Sequence, residues 1–317
     1  MTLAAKKSLR GMLKALPFKA QFISAEARFP PALKTRTMLR LTSILAEFSS
    51  KEITVHTNLG IASRYDLVFP SHDDAVILFG RPDHYISERG ALLLSRELTK
   101  RSSAFIDIGS HKGYYIFYVH EGNRDKPIYF FEPHPQLFNN IEQNVNRNHL
   151  QQVKGFKSAV GAESGKAQFF IDVTSTLQGS LKENTHPGHE VTITDVEVTT
   201  FDDFIKTHQF TDVCVKVDIE NAEFDFLNGA RQSMNHISYL VMEVLGPAVK
   251  GGFVKTMIDD YGFCAYYIND FSLIYSPDGS FTYVPPQYNW LFCRTEPDHL
   301  GKILDRTPFI VVTRKSG

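Results

Sequence analysis

The sequence is poor in the features that would point at once to a partner or a compartment. It holds only three cysteines in 317 residues, Cys214, Cys264 and Cys293. They are odd in number, far apart and form no C-x-x-C pair, so neither a disulfide framework nor a cysteine-ligated zinc site is expected. Unpaired thiols fit a reducing compartment such as the cytosol. No apolar run approaches the ~20 residues that span a bilayer. The N-terminus lacks a clean apolar stretch followed by a small-residue cleavage site, so no secretory signal is expected. Lys and Arg number 34 against 35 Asp and Glu, a net charge of −1. No global field therefore draws the chain onto nucleic acid. There is no G-x-G-x-x-G fingerprint, which counts against a nicotinamide-dependent oxidoreductase.

What is present belongs to an ordinary globular protein: 43% hydrophobic and 22% charged residues. The length allows two domains, or one large domain with additions. The charge, though balanced, is unevenly placed. Residues 1–50 carry nine cations, from Lys6 to Arg40, against Glu26 and Glu47, a net +7 that leaves −8 for the remainder. Leu9–Phe22 mixes these cations with Leu13, Leu16, Phe18 and Phe22. Two readings stand: a basic amphipathic segment that touches an anionic membrane or an acidic partner, or a solvated arm or helix packed on the main domain. Pro30-Pro31 breaks the chain, and a helix is expected over Thr37–Phe48. Strand-like runs at Glu52–Thr57, Arg64–Phe69 and Ala75–Phe79 follow, separated by turn residues, and then a helix over Ser87–Leu98.

From Ala104 the pattern becomes strand, turn, helix, repeated. Strands are expected at Ala104–Ile108, Ile128–Phe131, Val153–Phe156, Cys214–Val217 and Tyr239–Val244. Helices are expected at Gly113–His120, Pro135–Asn148 and Ala222–Met234. This alternation predicts an α/β fold, a mostly parallel central sheet with helices on both faces. Such sheets bind ligands at the carboxyl ends of their strands, where strand order reverses. Lys166–Val173 and Val191–Val198 read as extra strands inserted into the series. The polar stretch between them, Thr174–Glu190 with His186 and His189, reads as a lid or acceptor loop. Phe263–Ile268, Phe271–Tyr275 and Asn289–Arg294 would add antiparallel strands at one edge.

Acids recur where these strands end. Asp107-Ile108-Gly109-Ser110-His111-Lys112-Gly113 places a carboxylate before a glycine turn that leads into a helix, where backbone N–H groups are open to a ligand. Glu132, in Phe131-Glu132-Pro133-His134-Pro135, follows the second strand, where folds of this kind grip ribose hydroxyls. The plainer role is an acid that complements a helix dipole. Asp218 and Glu220, in Lys216-Val217-Asp218-Ile219-Glu220-Asn221-Ala222-Glu223, sit two residues apart on an extended chain and so point the same way. Glu243 ends the next strand. Acids gathered at one sheet edge suggest a site more than they suggest stability.

Taken in order, these segments resemble the FkbM family of S-adenosylmethionine-dependent methyltransferases. Ile106–Gly113 is similar to that family's glycine motif, Phe131–Pro135 to its E-P-x-P motif, Val198–Phe204 to its T-L-D-D segment, and Lys216–Ala230 to its K-I-D-V-E-G-A-E…L-x-G-A segment. Asn140, Asn144 and Asn148 fall where the family has an asparagine-bearing helix. His111 stands in place of the usual Asn, Asn221 in place of a Gly, and Phe201 in place of a Leu. The resemblance implies a Rossmann-like class I methyltransferase domain over 85–317, behind a basic extension over 1–84. It implies S-adenosylmethionine as cofactor, held by Asp107, Gly109, Ser110, His111, Gly113, Glu132 and Pro133. It implies O-methylation of a hydroxyl on a sugar, glycolipid or secondary metabolite. A hydroxyl needs a base; Asp218, Glu220 and His111 are the candidates, with His186 and His189 of the loop behind them. No metal is expected. The other class of function is a non-catalytic scaffold module that docks through its basic N-terminus.

Overall fold

The structure is a computed structural model that describes residues 53–57, 65–69, 86–172, 179–183, 190–280 and 288–313. The basic arm, the helix expected over Thr37–Phe48, the strand expected at Ala75–Phe79, and His186 and His189 lie outside these residues. The chain divides into two compact units, Met1–Tyr85 with Asn139–Leu150, and Ile86–Phe138 with Gln151–Gly317. In the first unit, β1 (Ile53–Thr57) and β2 (Tyr65–Phe69) pair antiparallel, with Ile53 opposite Phe69.

The second unit opens with α1 (Ile86–Thr99), β3 (Ala104–Ile108), α2 (Tyr114–Gly122) and β4 (Ile128–Phe131). Helix α3 (Pro135–Arg147) leads to β5 (Val153–Phe156). The short β6 (Ala159–Val160), β7 (Gly165–Asp172), β8 (Gly179–Ser180) and β9 (Val191–Thr199) come next. The series resumes with α4 (Phe201–His208), β10 (Val213–Val217), α5 (Glu223–Gly229) and β11 (Ile237–Glu243). It closes with α6 (Gly246–Lys250), α7 (Phe253–Asp259), β12 (Cys264–Asn269), β13 (Ser272–Ser276), β14 (Asn289–Cys293), α8 (Pro297–Ile303) and β15 (Ile310–Thr313).

Nine of these strands form one sheet in the order β15-β13-β12-β14-β11-β10-β3-β4-β5. The run from β5 to β11 is parallel, and β14, β12 and β13 pair antiparallel beyond it. The chain therefore leaves β3 in one direction for β4 and β5, then returns to lay β10 on its other side. That reversal opens a crevice at the carboxyl ends of β3 and β10. This is the Rossmann-like arrangement, with five contiguous parallel strands.

Alternation along the strands sorts the two faces. Cys214 and Lys216 of β10 point toward α1 and α2: the Cys214 thiol bonds the Ser95 carbonyl, and the Lys216 ammonium lies 5.0 Å from the Tyr115 ring centroid. Val213, Val215 and Val217 point the other way, into a core shared with Phe201 and Phe204 of α4 and Phe226 of α5. Burying each of these aromatic side chains contributes roughly 1.5–3 kcal/mol. All five residues of β3 and of β10 are buried, as continuous strands covered on both faces must be.

The inserted strands do not join this sheet. They form a separate sheet in the order β6-β9-β7-β8, with Ala159, Phe169, Ile171 and Val196 as its core. The helix expected over Ala222–Met234 is shorter, ending at Gly229, because a turn and a single 3-10 turn at Met234–His236 carry the chain into β11. Helix α4 lacks a long apolar period but has local signals. Thr200 caps it by accepting from the Asp203 N–H at 3.0 Å, and Asp202 and Asp203 occupy its first turn.

Candidate active site

Gly109 makes the crevice possible. Its φ is +78°, and a Cβ there would stand 1.8 Å from the Asp218 carbonyl oxygen. With no side chain, the turn after β3 lies against the turn after β10, and the Asp218 N–H donates to the Ile108 carbonyl at 2.9 Å. The Gly109 N–H donates to the Phe131 carbonyl at 3.0 Å, which ties in the end of β4. Three strand ends are thus drawn together around one glycine.

Glu132 fastens the next layer. It is 4% exposed and accepts from the His111 N–H at 2.6 Å on one oxygen and from the His134 N–H at 2.8 Å on the other. Each oxygen has a second lone pair left for a ligand. Burial pushes this carboxyl up to about 8 despite the two N–H donors that favour its charge. The His134 ring nitrogen accepts from the Gln136 N–H at 3.1 Å and so caps α3. Asp107 is 1% exposed, burial raises it to about 7, and its Oδ2 has no hydrogen-bond partner.

A cavity opens at these strand ends, enclosing about 740 Å³ of empty space including its open mouth. Gly109, His111, Glu132, Pro133, Asp218 and Glu220 line it, with Phe131, Leu137 and Val160 as apolar wall. The inserted sheet supplies the opposite side through Phe169, Ser180 and Leu181. Ser180 is a latch: its hydroxyl donates to the Glu220 carbonyl at 2.6 Å. Of the residues that the sequence assigned to the site, Asp107, Ser110 and Gly113 are not on the cavity wall. Asp107 faces α2 beside Lys216, its register partner on β10. Ser110 spends its hydroxyl on the Asp107 carbonyl at 3.0 Å. Gly113, with φ +81°, starts α2.

Three non-glycine residues here hold positive φ: His111 at 52°, Glu220 at 46° and Asn221 at 67°. Asn is among the residues that tolerate this region best, so the turn survives without the family's glycine. Strain of this kind persists where the surroundings enforce it and clusters at functional sites.

The carboxylate oxygens of Asp218, Glu220 and Glu243 lie within 4.8 Å of one another. Three acids so close would repel, and their charge is relieved locally. Lys216, fully buried in a strand that reads Val-Cys-Val-Lys-Val, places its ammonium 3.4 Å from Asp218. Glu243 and Asp218 share a hydrogen bond, which needs one proton between them. Burial alone would raise Asp218; the Lys216 ammonium and the bonds from Glu243 and Lys216 outweigh it and hold this carboxyl below its ordinary value. Glu220 goes the other way. Burial, and then the neighbouring Asp218 and Glu223 charges, push it up to about 7. Glu223 is occupied elsewhere, accepting from the Leu245 N–H at 3.0 Å. The sequence had pointed to Glu243 only as one more strand-end acid and had given Lys216 no role. The signal for Lys216 was a cation inside an unbroken apolar strand.

A Rossmann-like sheet with acids at its switch point and an apolar-walled cavity is an arrangement that holds nucleotide-like cofactors. Residues 107–264 match the family model described as the Methyltransferase FkbM domain. The chain belongs to the FkbM methyltransferase family. Its methyl donor is accordingly S-adenosylmethionine, and the cavity fits that group: Glu132, on its wall, retains lone pairs for ribose hydroxyls, and Asp107 Oδ2, behind that wall, is a buried acceptor without a partner. Similar solved structures include a SAM-dependent methyltransferase from Aquifex aeolicus, 12% identical, covering 67% of this chain and 92% of that one at a TM-score of 0.35. Precorrin-6y C5,15-methyltransferase from Geobacter metallireducens GS-15 is 12% identical over 57% of this chain and 72% of that one, TM-score 0.33. M. capricolum TrmK, solved with S-adenosyl-homocysteine, is 16% identical over 64% and 66%, TM-score 0.31. Likenesses at these scores carry no conclusion beyond the fold read from the strand order. No curated protein sequence matches the chain. Among the described residues no helix is long and apolar enough to cross a membrane.

Proposed function

We propose that this methyltransferase acts on a hydroxyl oxygen of an uncharged acceptor, with Glu220 as the group that takes the proton. One observation carries the reading: a carboxyl held near neutrality, Glu220, stands beside one held ionised, Asp218, on the cavity wall. A base whose value lies near the working pH is the efficient one for a weakly acidic hydroxyl, contributing typically ~10²–10⁴-fold. Among the described residues that line the cavity none is Lys or Arg, which favours a neutral acceptor over a phosphate or carboxylate.

When bound, S-adenosylmethionine supplies a methyl carbon activated by its sulfonium. The protein's part is placement and proton handling. Glu132 would bind the ribose hydroxyls. Asp107 would hold the cationic amino group of the methionyl portion. Ser180, by gripping the Glu220 carbonyl, fixes the proton acceptor between the cofactor residues and the inserted sheet. Glu220 would take the hydroxyl proton as the new carbon–oxygen bond forms and the carbon–sulfur bond of the methyl donor breaks, leaving a neutral thioether. Orientation of the two reactants can supply ~7–11 kcal/mol of the barrier. Asp218 stays anionic throughout, and His111 gives its backbone N–H to Glu132. The acceptor is a hydroxyl of a sugar, glycolipid or secondary metabolite, and the basic residues 1–50 dock the enzyme on an anionic membrane surface.

The test is an acceptor screen by mass spectrometry with wild type and Glu220→Gln. Methylated products that carry an O-methyl group and vanish with Glu220→Gln, at unchanged cofactor affinity, support the reading. N- or C-methylated products, or undiminished turnover by Glu220→Gln, overturn it.

A further inference from the structure

The carboxyls around Asp218 share one buried cation. Lys216 is 0% exposed, and its Nζ lies 3.4 Å from Asp218 Oδ2, 3.2 Å from the Val217 carbonyl and 5.0 Å from the Tyr115 ring centroid. A buried ammonium is strongly disfavoured unless paired. Lys216 has not been placed there by chain geometry alone, since an apolar residue would fill a buried strand position at lower cost. The acids facing the Asp218 carboxyl come from every strand end packed against it. They are Asp107 from β3, Glu132 from β4, Glu220 from the turn after β10, Glu223 from α5 and Glu243 from β11. His111 stands at the same cavity wall.

We infer that Lys216 is a positioning residue that selects which carboxyl of the pair is the standing anion and which receives the acceptor's proton. The ammonium pins the negative charge on Asp218. Asp218, now fixed as an anion beside Glu220, makes a second negative charge on Glu220 unfavourable, so Glu220 is the member that gains a proton readily. Glu243 adds its hydrogen bond to Asp218 and holds the charge in the same place. Lys216 does not touch the acceptor; it acts through Asp218. The inference rests on the reading of Glu220 as proton acceptor, and its test is independent of cofactor and acceptor.

The experiment is a carboxyl titration by NMR on protein labelled with ¹³C at Asp and Glu side chains, with Asp218→Asn and Glu220→Gln for assignment. Lys216→Met is compared with Lys216→Arg. In Lys216→Met the Asp218 midpoint should rise by about one pH unit or more, as expected when an opposite charge at this range is lost. The gap between the Asp218 and Glu220 midpoints should narrow, because the two titrate as a pair and the charge is no longer assigned to one of them. Lys216→Arg, which keeps the charge, should return both toward wild type. Unchanged midpoints in a folded Lys216→Met would overturn the inference. If Lys216→Met does not fold, Lys216→Met/Asp218→Asn decides the matter. Recovery of folding in that double variant shows that Lys216 is there for the Asp218 charge; continued failure shows a packing role and overturns the inference. Loss of turnover in Glu220→Gln with these midpoints as expected would leave the inference and the reaction both standing. Normal turnover in Glu220→Gln would remove the reaction while the titration still reports on Lys216.

Discussion

Glu132→Gln keeps the shape of the side chain and removes its charge. The wild-type carboxyl receives two backbone N–H groups, from His111 at 2.6 Å and His134 at 2.8 Å. A Gln side chain has one oxygen, so it keeps one of these bonds and sets its own NH₂ against the other N–H. A buried donor left without an acceptor costs about 1–3 kcal/mol. For a domain of this size that corresponds to a fall in Tm of roughly 2–12 °C. The cofactor loses more than the fold does. A hydrogen bond to a charged group contributes about 1.5–3 kcal/mol, and the ribose offers two hydroxyls. Affinity for S-adenosylhomocysteine should therefore fall by about 10- to 150-fold or more. Calorimetric titration at a temperature well below the lowered Tm separates the two effects. A Glu132→Gln protein that is folded and binds S-adenosylhomocysteine within threefold of wild type would refute the assignment of Glu132 to the ribose.

Four further outcomes are expected. Glu132, Glu220 and Asp107 have folded values raised above their ordinary ones, to about 8, about 7 and about 7. Their contribution to stability is full below the unfolded values and is lost as pH rises through 7–8. The Tm of the ligand-free protein should thus fall from pH 5.5 to pH 8.5 in differential scanning calorimetry, and a rise would contradict the burial argument. Binding of S-adenosylmethionine, which brings hydroxyl donors and a cationic amino group to Glu132 and Asp107, should favour their charged forms. Titrations at pH 6.5 in buffers of different ionisation enthalpy should then show net proton release; proton uptake would count against the placement. Gly109→Ala must accommodate a φ of +78° and a Cβ at 1.8 Å from the Asp218 carbonyl. A loss of about 2–4 kcal/mol in urea unfolding is expected, and a near-neutral result would show that the crevice tolerates separation of its two turns. Membrane docking through residues 1–50 predicts that the full chain sediments with anionic vesicles in low salt and that removal of those residues abolishes it.

Much of the fold was legible because each parallel strand is a short apolar run between turn residues. Ala104–Ile108, Ile128–Phe131 and Val153–Phe156 were read at the bounds the structure shows. What sequence could not give was which face a residue takes and which strands share a sheet. Lys166–Val173 and Val191–Val198 were read as extra strands inserted into the series, but not that they pair with each other in a separate sheet beside the cavity. Strand pairing is a long-range property, and their alternation is equally satisfied in either sheet. Asp107 was read as a cofactor residue from its place at a strand end; that alternation along β3 sets it beside Lys216 on the α2 side shows only in the structure. The edge strand β15 escaped because Ile310 and Val312 are exposed and carry no core pattern. Lys216 escaped because a lone lysine has meaning only beside the acids that meet it, here Asp107 from the neighbouring strand and Asp218 and Glu220 from the turn beyond.

The central claim is a cofactor site at the carboxyl ends of β3 and β4. Calorimetric titration of the purified protein with S-adenosylmethionine and S-adenosylhomocysteine, alongside Asp107→Ala and Glu132→Ala, tests it most directly. Micromolar binding by wild type, lost in both folded variants, is the result expected. Wild-type affinity in both variants, or no binding to the folded wild-type protein, would contradict the placement and bring forward the non-catalytic scaffold.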